Sequence, residues 1–333
     1  MDDTMEDAPE SQTLANETPP NDVFLAPSIT RSLILSGESY TYQSPIPKTI
    51  QNDMTTPCVL GVDEAGRGPV LGPMVYGLLY LPLPLHHSLL AETHHFDDSK
   101  VLTPAVRSDL MEKICTKTTD LYKNCGWATR MMSARDISAA QLRPNGAYNL
   151  NAQAMDATAD LIQGVLDSGV NITEVYIDTI GQPEAYQKRL ERIFPSLRIT
   201  VAKKADSLYP CVSAASVCAK VSRDAALDVL YESYEEGAEV AWGSGYPSDA
   251  RCTTWLRANM DPVFGWGSEC RFSWGTAKEM LENKGVGAKT EWPDAAEEPG
   301  DNMKLTGFMM GGKEEEGNEL GNWYGRKVTE EVF

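Results

Sequence analysis

Two adjacent acids, Asp63 and Glu64, follow the apolar run Cys58-Val59-Leu60 in the string Gly61-Val62-Asp63-Glu64-Ala65-Gly66-Arg67-Gly68-Pro69. A run of this kind reads as a buried strand, so both carboxylates emerge at its mouth. Paired carboxylates at the rim of a core are costly unless a positive charge lies between them. A divalent cation is the usual answer. Directly behind them, Gly66-Arg67-Gly68 offers backbone N–H groups without side-chain cover, together with one guanidinium. That combination suits a phosphate or a hydroxyl. Taken alone, the same residues also describe a tight turn with solvated acids.

Two more acids stand where they can join the pair. Glu174-Val175-Tyr176-Ile177-Asp178 is a second apolar run ending in a carboxylate. In open α/β sheets ligands gather beyond the carboxyl ends of strands, so Asp178 can converge with Asp63. Asp206 lies in Lys203-Lys204-Ala205-Asp206-Ser207-Leu208-Tyr209-Pro210, the loop before a helix that starts at Pro210. By itself Asp206 reads as a helix-entry acid.

The glycine-arginine-glycine string, extended through Pro69-Val70-Leu71-Gly72-Pro73-Met74, resembles the signature of the type-2 ribonucleases H. The likeness is greatest to the catalytic subunits of the eukaryotic branch and spans roughly residues 58–282 in several separated motifs. It implies a ribonuclease H-like α/β fold, with a mixed central sheet flanked by helices and a helical C-terminal extension. It also implies that Asp63, Glu64, Asp178 and Asp206 are the catalytic, metal-binding carboxylates, holding two Mg²⁺ or Mn²⁺ ions. Gly66, Arg67 and Gly68 match the element that reads a ribonucleotide 2′-OH, the group that separates RNA from DNA. Tyr246, in Gly243-Ser244-Gly245-Tyr246-Pro247, matches a tyrosine that stacks on the next deoxyribose.

The implied substrates are RNA–DNA hybrids and duplex DNA carrying single ribonucleotides, cut 5′ of the ribonucleotide to leave 3′-OH and 5′-phosphate ends. The implied partners are two non-catalytic accessory subunits, and the implied location is the nucleus, with the cytoplasm second. Lys100, Lys220 and Arg223 are candidate phosphate contacts, and Lys203 and Lys204 are placed to act likewise.

Hydrolysis of a phosphodiester needs an activated water in line with a leaving oxygen, and both gain negative charge. Two divalent ions about 4 Å apart can hold both. No Ser-His or Cys-His nucleophile pair is evident in the sequence, so the expected reaction has no covalent intermediate. Two other readings compete: a catalytically silent nucleic-acid-binding scaffold, and another two-metal nuclease of the same fold. A scaffold has no need of four acids, and other two-metal nucleases have no need of a 2′-OH reader.

The elements that must position these residues follow from the pattern. Residues 58–63 and 69–81 read as strands joined by the motif turn. Thr103-Pro104 starts a helix over 104–117, and 125–132 reads as a strand. A helix is expected from about 150 to 168, a strand over 174–178, a helix over 183–194, a strand over 197–202 and helical structure after 210. Residues 1–57 read as a mostly disordered acidic tail with a short strand at 32–36 or 40–42. The expected divisions are a catalytic domain at 58–235, a helical extension at 236–284 and an acidic, mostly disordered tail at 285–333. The accessory subunits are expected to dock on the extension, at Trp255 and Pro262–Trp274, and removal of residues 1–50 is expected to leave assembly intact.

The net charge of −19 argues at first sight against a polyanionic partner, yet about two-thirds of it lies in the tails: −7 in residues 1–57 and −6 in 285–333. The middle carries the remaining −6 and lacks a broad basic patch, which points to partner subunits that supply positive surface. Seven cysteines without pattern fit a reducing compartment. No run approaches the length of a membrane span and no signal peptide is apparent. His86, His87, His94 and His95 read as solvent-exposed. Met155 stands where the family often has histidine, and Pro144-Asn145-Gly146 where it often has a basic residue. Both departures concern substrate grip and leave the carboxylates intact.

Overall fold

The computed structural model describes residues 24–96, 102–143, 148–179, 181–234 and 242–282. It opens with helix α1 (Arg31–Leu35), strand β1 (Tyr40–Gln43) and helix α2 (Lys48–Asn52). The hairpin β2 (Cys58–Ala65) and β3 (Met74–Pro82) follows, then α3 (Pro104–Cys115), α4 (Asp120–Asn124), β4 (Gly126–Met132) and α5 (Ala134–Gln141). The chain continues through α6 (Leu150–Asp167), β5 (Ile172–Asp178), α7 (Pro183–Ile193), β6 (Arg198–Ala202), α8 (Pro210–Glu232), α9 (Ala250–Ala258) and α10 (Gly275–Glu282).

The six strands form one sheet in the order β1-β4-β3-β2-β5-β6. β1 to β2 pair antiparallel, while β5 and β6 run parallel to β2, so the sheet is mixed. Side chains alternate across it, as the pleat requires. Leu60, Val62 and Leu78 pack with Leu161, Ile162 and Val165 of α6 on one face. Val59, Leu79 and Leu81 pack with Val212, Ala215 and Val217 of α8 and Leu110 of α3 on the other.

α8 lies unusually close to the strands that carry the acids. A Cβ at Gly61 would stand 2.3 Å from the Cys211 carbonyl carbon, and one at Gly77 would stand 2.4 Å from the Ala215 carbonyl oxygen. Two glycines in neighbouring strands thus let this helix press its backbone onto the sheet. The caps are local. Thr103 accepts from the Val106 N–H before α3, and Asn149 accepts from the Ala152 N–H at 2.8 Å before α6.

Four expectations need correction. First, residues 24–57 are folded. Residues 31–35 are helical rather than extended, and β1 pairs with β4, Tyr40 opposite Met131. The Tyr40 hydroxyl donates to the Ser28 carbonyl at 2.9 Å, and Ala26, Ile34 and Ile50 are buried. β1 covers the edge of β4, so deleting residues 1–50 would uncover it.

Second, β3 starts at Met74 rather than 69. Pro69 and Pro73 cannot donate to a ladder, and Gly72 has a φ of +84°. Third, 236–284 is not a separate layer. Leu71 bridges Cys270, and Val70, Leu71 and Val75 share a core with Trp255, Leu256, Cys270 and Leu281. Fourth, His86 is buried, and its Nε2 accepts the Cys211 N–H at 3.2 Å. Tyr209 makes no side-chain cap for α8, so the imidazole satisfies one of the open N–H groups of that helix. Burial pulls its pKa down to about 4, which keeps it neutral.

Helix α5 was not anticipated. Ser133 accepts from the Asp136 N–H to start it. Met155 is buried in the core between α6 and the sheet, far from any role as an exposed polar contact. The C-terminal tail and Pro144-Asn145-Gly146 lie outside the described residues.

Candidate active site

Strand β2 carries Asp63 and Glu64 just before its end at Ala65, and β5, its parallel neighbour, ends in Asp178. Parallel pairing therefore brings these carboxyl ends together. Past β6 the chain turns at Lys204, which has a positive φ of 58°, into a single 3₁₀ turn holding Asp206. The Ala205 N–H of that turn donates to Asp178 Oδ1 at 2.7 Å, which ties the β5 acid to the Asp206 turn. Asp63 Oδ1 accepts the Glu64 N–H at 2.8 Å.

The electrostatics show that the four acids feel one another. Burial, then the Glu64 and Asp178 charges, holds the Asp63 carboxyl well above the usual range. Burial likewise pushes Glu64 up to about 7, against the pull of Arg67 and with the push of Asp178 and Asp206. Asp63 and Asp206 are only 6% and 5% exposed. Lys220 of α8 stands close enough to Asp63 to offset part of the repulsion. Among the described residues no group of three His, Cys, Asp or Glu side chains is already arranged to hold a metal ion.

The glycine-arginine-glycine turn is gripped from behind. Arg271 is wholly buried and donates to the carbonyls of Gly66 (2.6 Å), Arg67 (2.9 Å) and Gly72 (3.0 Å). The Trp274 Nε1–H takes the Gly68 carbonyl at 3.0 Å, and the Arg271 guanidinium lies 4.8 Å from the centre of the Trp274 ring. Burial and the charge of Arg223 pull the Arg271 pKa down to about 9, so it stays cationic at neutral pH. With all three carbonyls engaged on one side, the loop presents its other side, with Gly68 exposed, outward.

Tyr246 closes that side. A Cβ at Gly68 would sit 3.0 Å from the Tyr246 ring, so only glycine leaves this space, and the ring is 40% exposed. The tyrosine loop is pinned to the turn, because the Gly245 carbonyl accepts from Val70 N–H at 2.9 Å. Arg223 supports the same loop. Its Nη2 donates to the Ser244 carbonyl at 2.8 Å and its Nη1 pairs with Asp224 at 3.3 Å. At 8% exposure it is a strut for the tyrosine loop rather than a surface cation for phosphate. Lys220 faces the acids, and Lys100 lies outside the described residues.

Residues 60–277 match the family model described as ribonuclease HII. The chain belongs to the ribonuclease HII family. A ribonuclease H2 subunit of Neurospora crassa is 58% identical over 315 residues, 93% of this chain and 97% of that protein. The corresponding ribonuclease H2 subunit of Homo sapiens is 44% identical over 269 residues, 80% and 86% of the two chains. The solved ribonuclease H2 of Pyrococcus horikoshii shares the fold with a TM-score of 0.54 and 28% identity, over 68% of this chain and 97% of that one. The chain is thus a ribonuclease H, a nuclease that hydrolyses RNA in RNA–DNA hybrids.

Within this ribonuclease HII site the residue missed by sequence reasoning is Arg271. Its signal was weak, a lone arginine in Cys270-Arg271-Phe272-Ser273-Trp274, some 200 positions from its partners. An arginine among so many apolar neighbours is the one hint that it is buried and paired.

The raised carboxyl of Glu64 sets a pH dependence. Between its usual 4.5 and about 7 the folded chain holds a proton that the unfolded chain has lost. Stability of the cation-free protein therefore falls as pH rises through that window. A cation that binds the ionised carboxylates offsets the fall. Saturating Mg²⁺ is expected to raise the melting temperature little at pH 5 and clearly more at pH 7.5. Thermal melts at both pH values check this, and an equal gain at the two would contradict it.

Proposed function

We propose that this chain is the catalytic subunit of a multi-subunit ribonuclease H that also cuts duplex DNA 5′ of single embedded ribonucleotides, using two Mg²⁺ or Mn²⁺ ions. The observation that carries the reading is the placement of the four-carboxylate cluster beside a glycine turn roofed by Tyr246. The donor set fits a hard divalent cation, because it is all oxygen and its charges repel. Asp63, Glu64, Asp178 and Asp206 would hold the ions, which when bound supply a nucleophilic water and stabilise the leaving oxygen.

The chain's own groups do the rest. The outward face of Gly66-Arg67-Gly68 approaches the ribose closely enough to test for a 2′-OH, since neither glycine carries a side chain of its own. The Tyr246 ring packs against the following sugar and fixes the register of the scissile bond. Lys220, beside Asp63, holds positive charge where the scissile phosphate would enter. The products carry 3′-OH and 5′-phosphate ends.

The experiment is cleavage of two duplexes, one an RNA–DNA hybrid and one DNA with a single ribonucleotide. Each is tested with Mg²⁺, with Mn²⁺ and with chelator. Cutting of the hybrid alone would remove the single-ribonucleotide part of the reading. Tyr246→Phe is expected to be mild and Tyr246→Ala severe, at about 10- to 100-fold, and mostly at single ribonucleotides, because ring stacking is worth ~1–3 kcal/mol. Equal losses in the two variants would instead favour a hydrogen-bonding role for the hydroxyl.

The reading includes assembly with two accessory subunits. The folded region carries excess negative charge and holds a polyanion poorly unaided. Trp255 and Trp266 are buried and do not dock anything. The accessible part of the expected surface is the turn at Val263 and Phe264, which are 69% and 79% exposed. Asp261 Oδ1 holds this turn by accepting both of their N–H groups at 2.8 Å. Replacing both with serine is expected to abolish co-purification of the accessory subunits without lowering the melting temperature. Unchanged co-purification would move the interface elsewhere. The nucleus is the proposed location, because ribonucleotide-bearing duplex DNA is found there.

A further inference from the structure

Arg67 is held by more than its own turn. Gly66, at a φ of +77°, swings the chain out of β2. The Arg67 side chain runs back, and its Nη2 donates to Asn151 Oδ1. The Tyr76 hydroxyl of β3 shares a hydrogen bond with the same guanidinium. Its charge also acts on Glu64 and on Tyr186 of α7, whose hydroxyl donates to Thr158 Oγ1 at 2.9 Å. The guanidinium is therefore bounded by β2, β3, α6 and α7.

Asn151 is itself fixed. Asn149 caps α6 by accepting the Ala152 N–H, its carbonyl accepts the Gln153 N–H at 3.0 Å, and Gln153 Nε2 donates to the Tyr148 carbonyl at 2.8 Å. These bonds anchor the first turn of the helix on both sides of Asn151. An amide oxygen there is a rigid acceptor for an otherwise flexible arginine.

We infer that Asn151 is a positioning residue that holds the Arg67 guanidinium against Glu64 and so keeps a cation at the edge of the carboxylate cluster. The inference rests on the reading of Glu64 as a member of the reactive cluster. The ribose is read by the backbone of the turn, whereas the Arg67 guanidinium is turned to Asn151, so Asn151 acts on the rate of the chemical step and not on ribonucleotide choice. A neutral amide does this without quenching the arginine charge.

The test is a double-mutant cycle on the full chain, in the assembly that cleaves hybrid, with Asn151→Leu, Arg67→Ala and the pair. Asn151→Leu is expected to lower kcat about tenfold, with KM and the ratio of single-ribonucleotide to hybrid cleavage within about twofold. In the Arg67→Ala background it is expected to cost nothing further. Equal losses in both backgrounds would overturn the role, since Asn151 would then act on substrate directly. A rise in KM with kcat intact would overturn it too.

Should Asn151→Leu fail to fold, Asn151→Gln carries the test. It keeps a neutral amide acceptor and is expected to retain kcat within about threefold of the parent, whereas a loss of tenfold or more would overturn the inference. Asp178→Asn separates the two readings. If it stays active, the cluster is not the reactive centre; if it is inactive while the cycle is additive, only the role of Asn151 fails.

Discussion

Asp178→Asn is expected to fold normally and to lose at least about a hundredfold in cleavage rate, more than the loss of a group that only supports a metal ligand. The substitution keeps the oxygen that accepts the Ala205 N–H, so the Asp206 turn stays tied to β5. What it removes is one negative charge at the point where β2 and β5 bring their ends together. The remaining acids gain from that loss, because the Asp178 charge is one of the causes that raise Glu64 and Asp63. The cation-free variant is therefore expected to melt at or above the parent's temperature at pH 7.5 and to gain less from Mg²⁺. An active site that opposes stability in this way is common among enzymes. Cleavage within tenfold of the parent at saturating Mg²⁺ would remove Asp178 from the ligand set.

Arg271→Met is expected to damage both stability and activity. Methionine fills similar space but donates nothing, so the carbonyls of Gly66, Arg67 and Gly72 lose their partner. Hydrogen bonds from a charged donor contribute about 1.5–3 kcal/mol each, and water can recover some of them, so a net loss of roughly 2–4 kcal/mol is expected. Urea unfolding measures it. The glycine turn would also lose the support that turns its far side toward substrate. Single-ribonucleotide cleavage is therefore expected to fall about a hundredfold, and more than the loss of stability explains at a temperature where the variant is folded. A variant that is destabilised yet cleaves both substrates normally would show that the turn does not need this clamp. Trp274→Phe, which removes the donor to the Gly68 carbonyl and leaves a smaller ring beside Arg271, is expected to be milder in both measurements.

The candidate site was legible in the sequence where its members lie next to a strand end. Asp63, Glu64 and Asp178 follow apolar runs, and such runs become neighbouring strands whose carboxyl ends align. The glycine turn was legible because its two glycines lie one residue apart in the chain. The α/β pattern was legible in helix starts such as Thr103-Pro104 and Pro210, where a capping hydroxyl or a proline at the first helical position marks the start in the local sequence.

Tertiary structure decided the rest, and each case involves a partner far away in the chain. β1 reads as a short strand at 40–42 in an otherwise disordered tail, and the ladder that β4 offers is what folds it into the sheet. His86 looks like a loop histidine until the first turn of α8, 125 positions on, offers it an N–H. Arg223 reads as a free cation on a helix, yet a loop carbonyl and Asp224 occupy it. Trp255 stands in the stretch expected to dock partners and is core. Arg271 has only a weak local signal, because its three acceptors are backbone carbonyls about 200 residues earlier. Sequence periodicity reports which face of an element meets a core, whereas the pairing of buried polar groups depends on which elements the fold brings together.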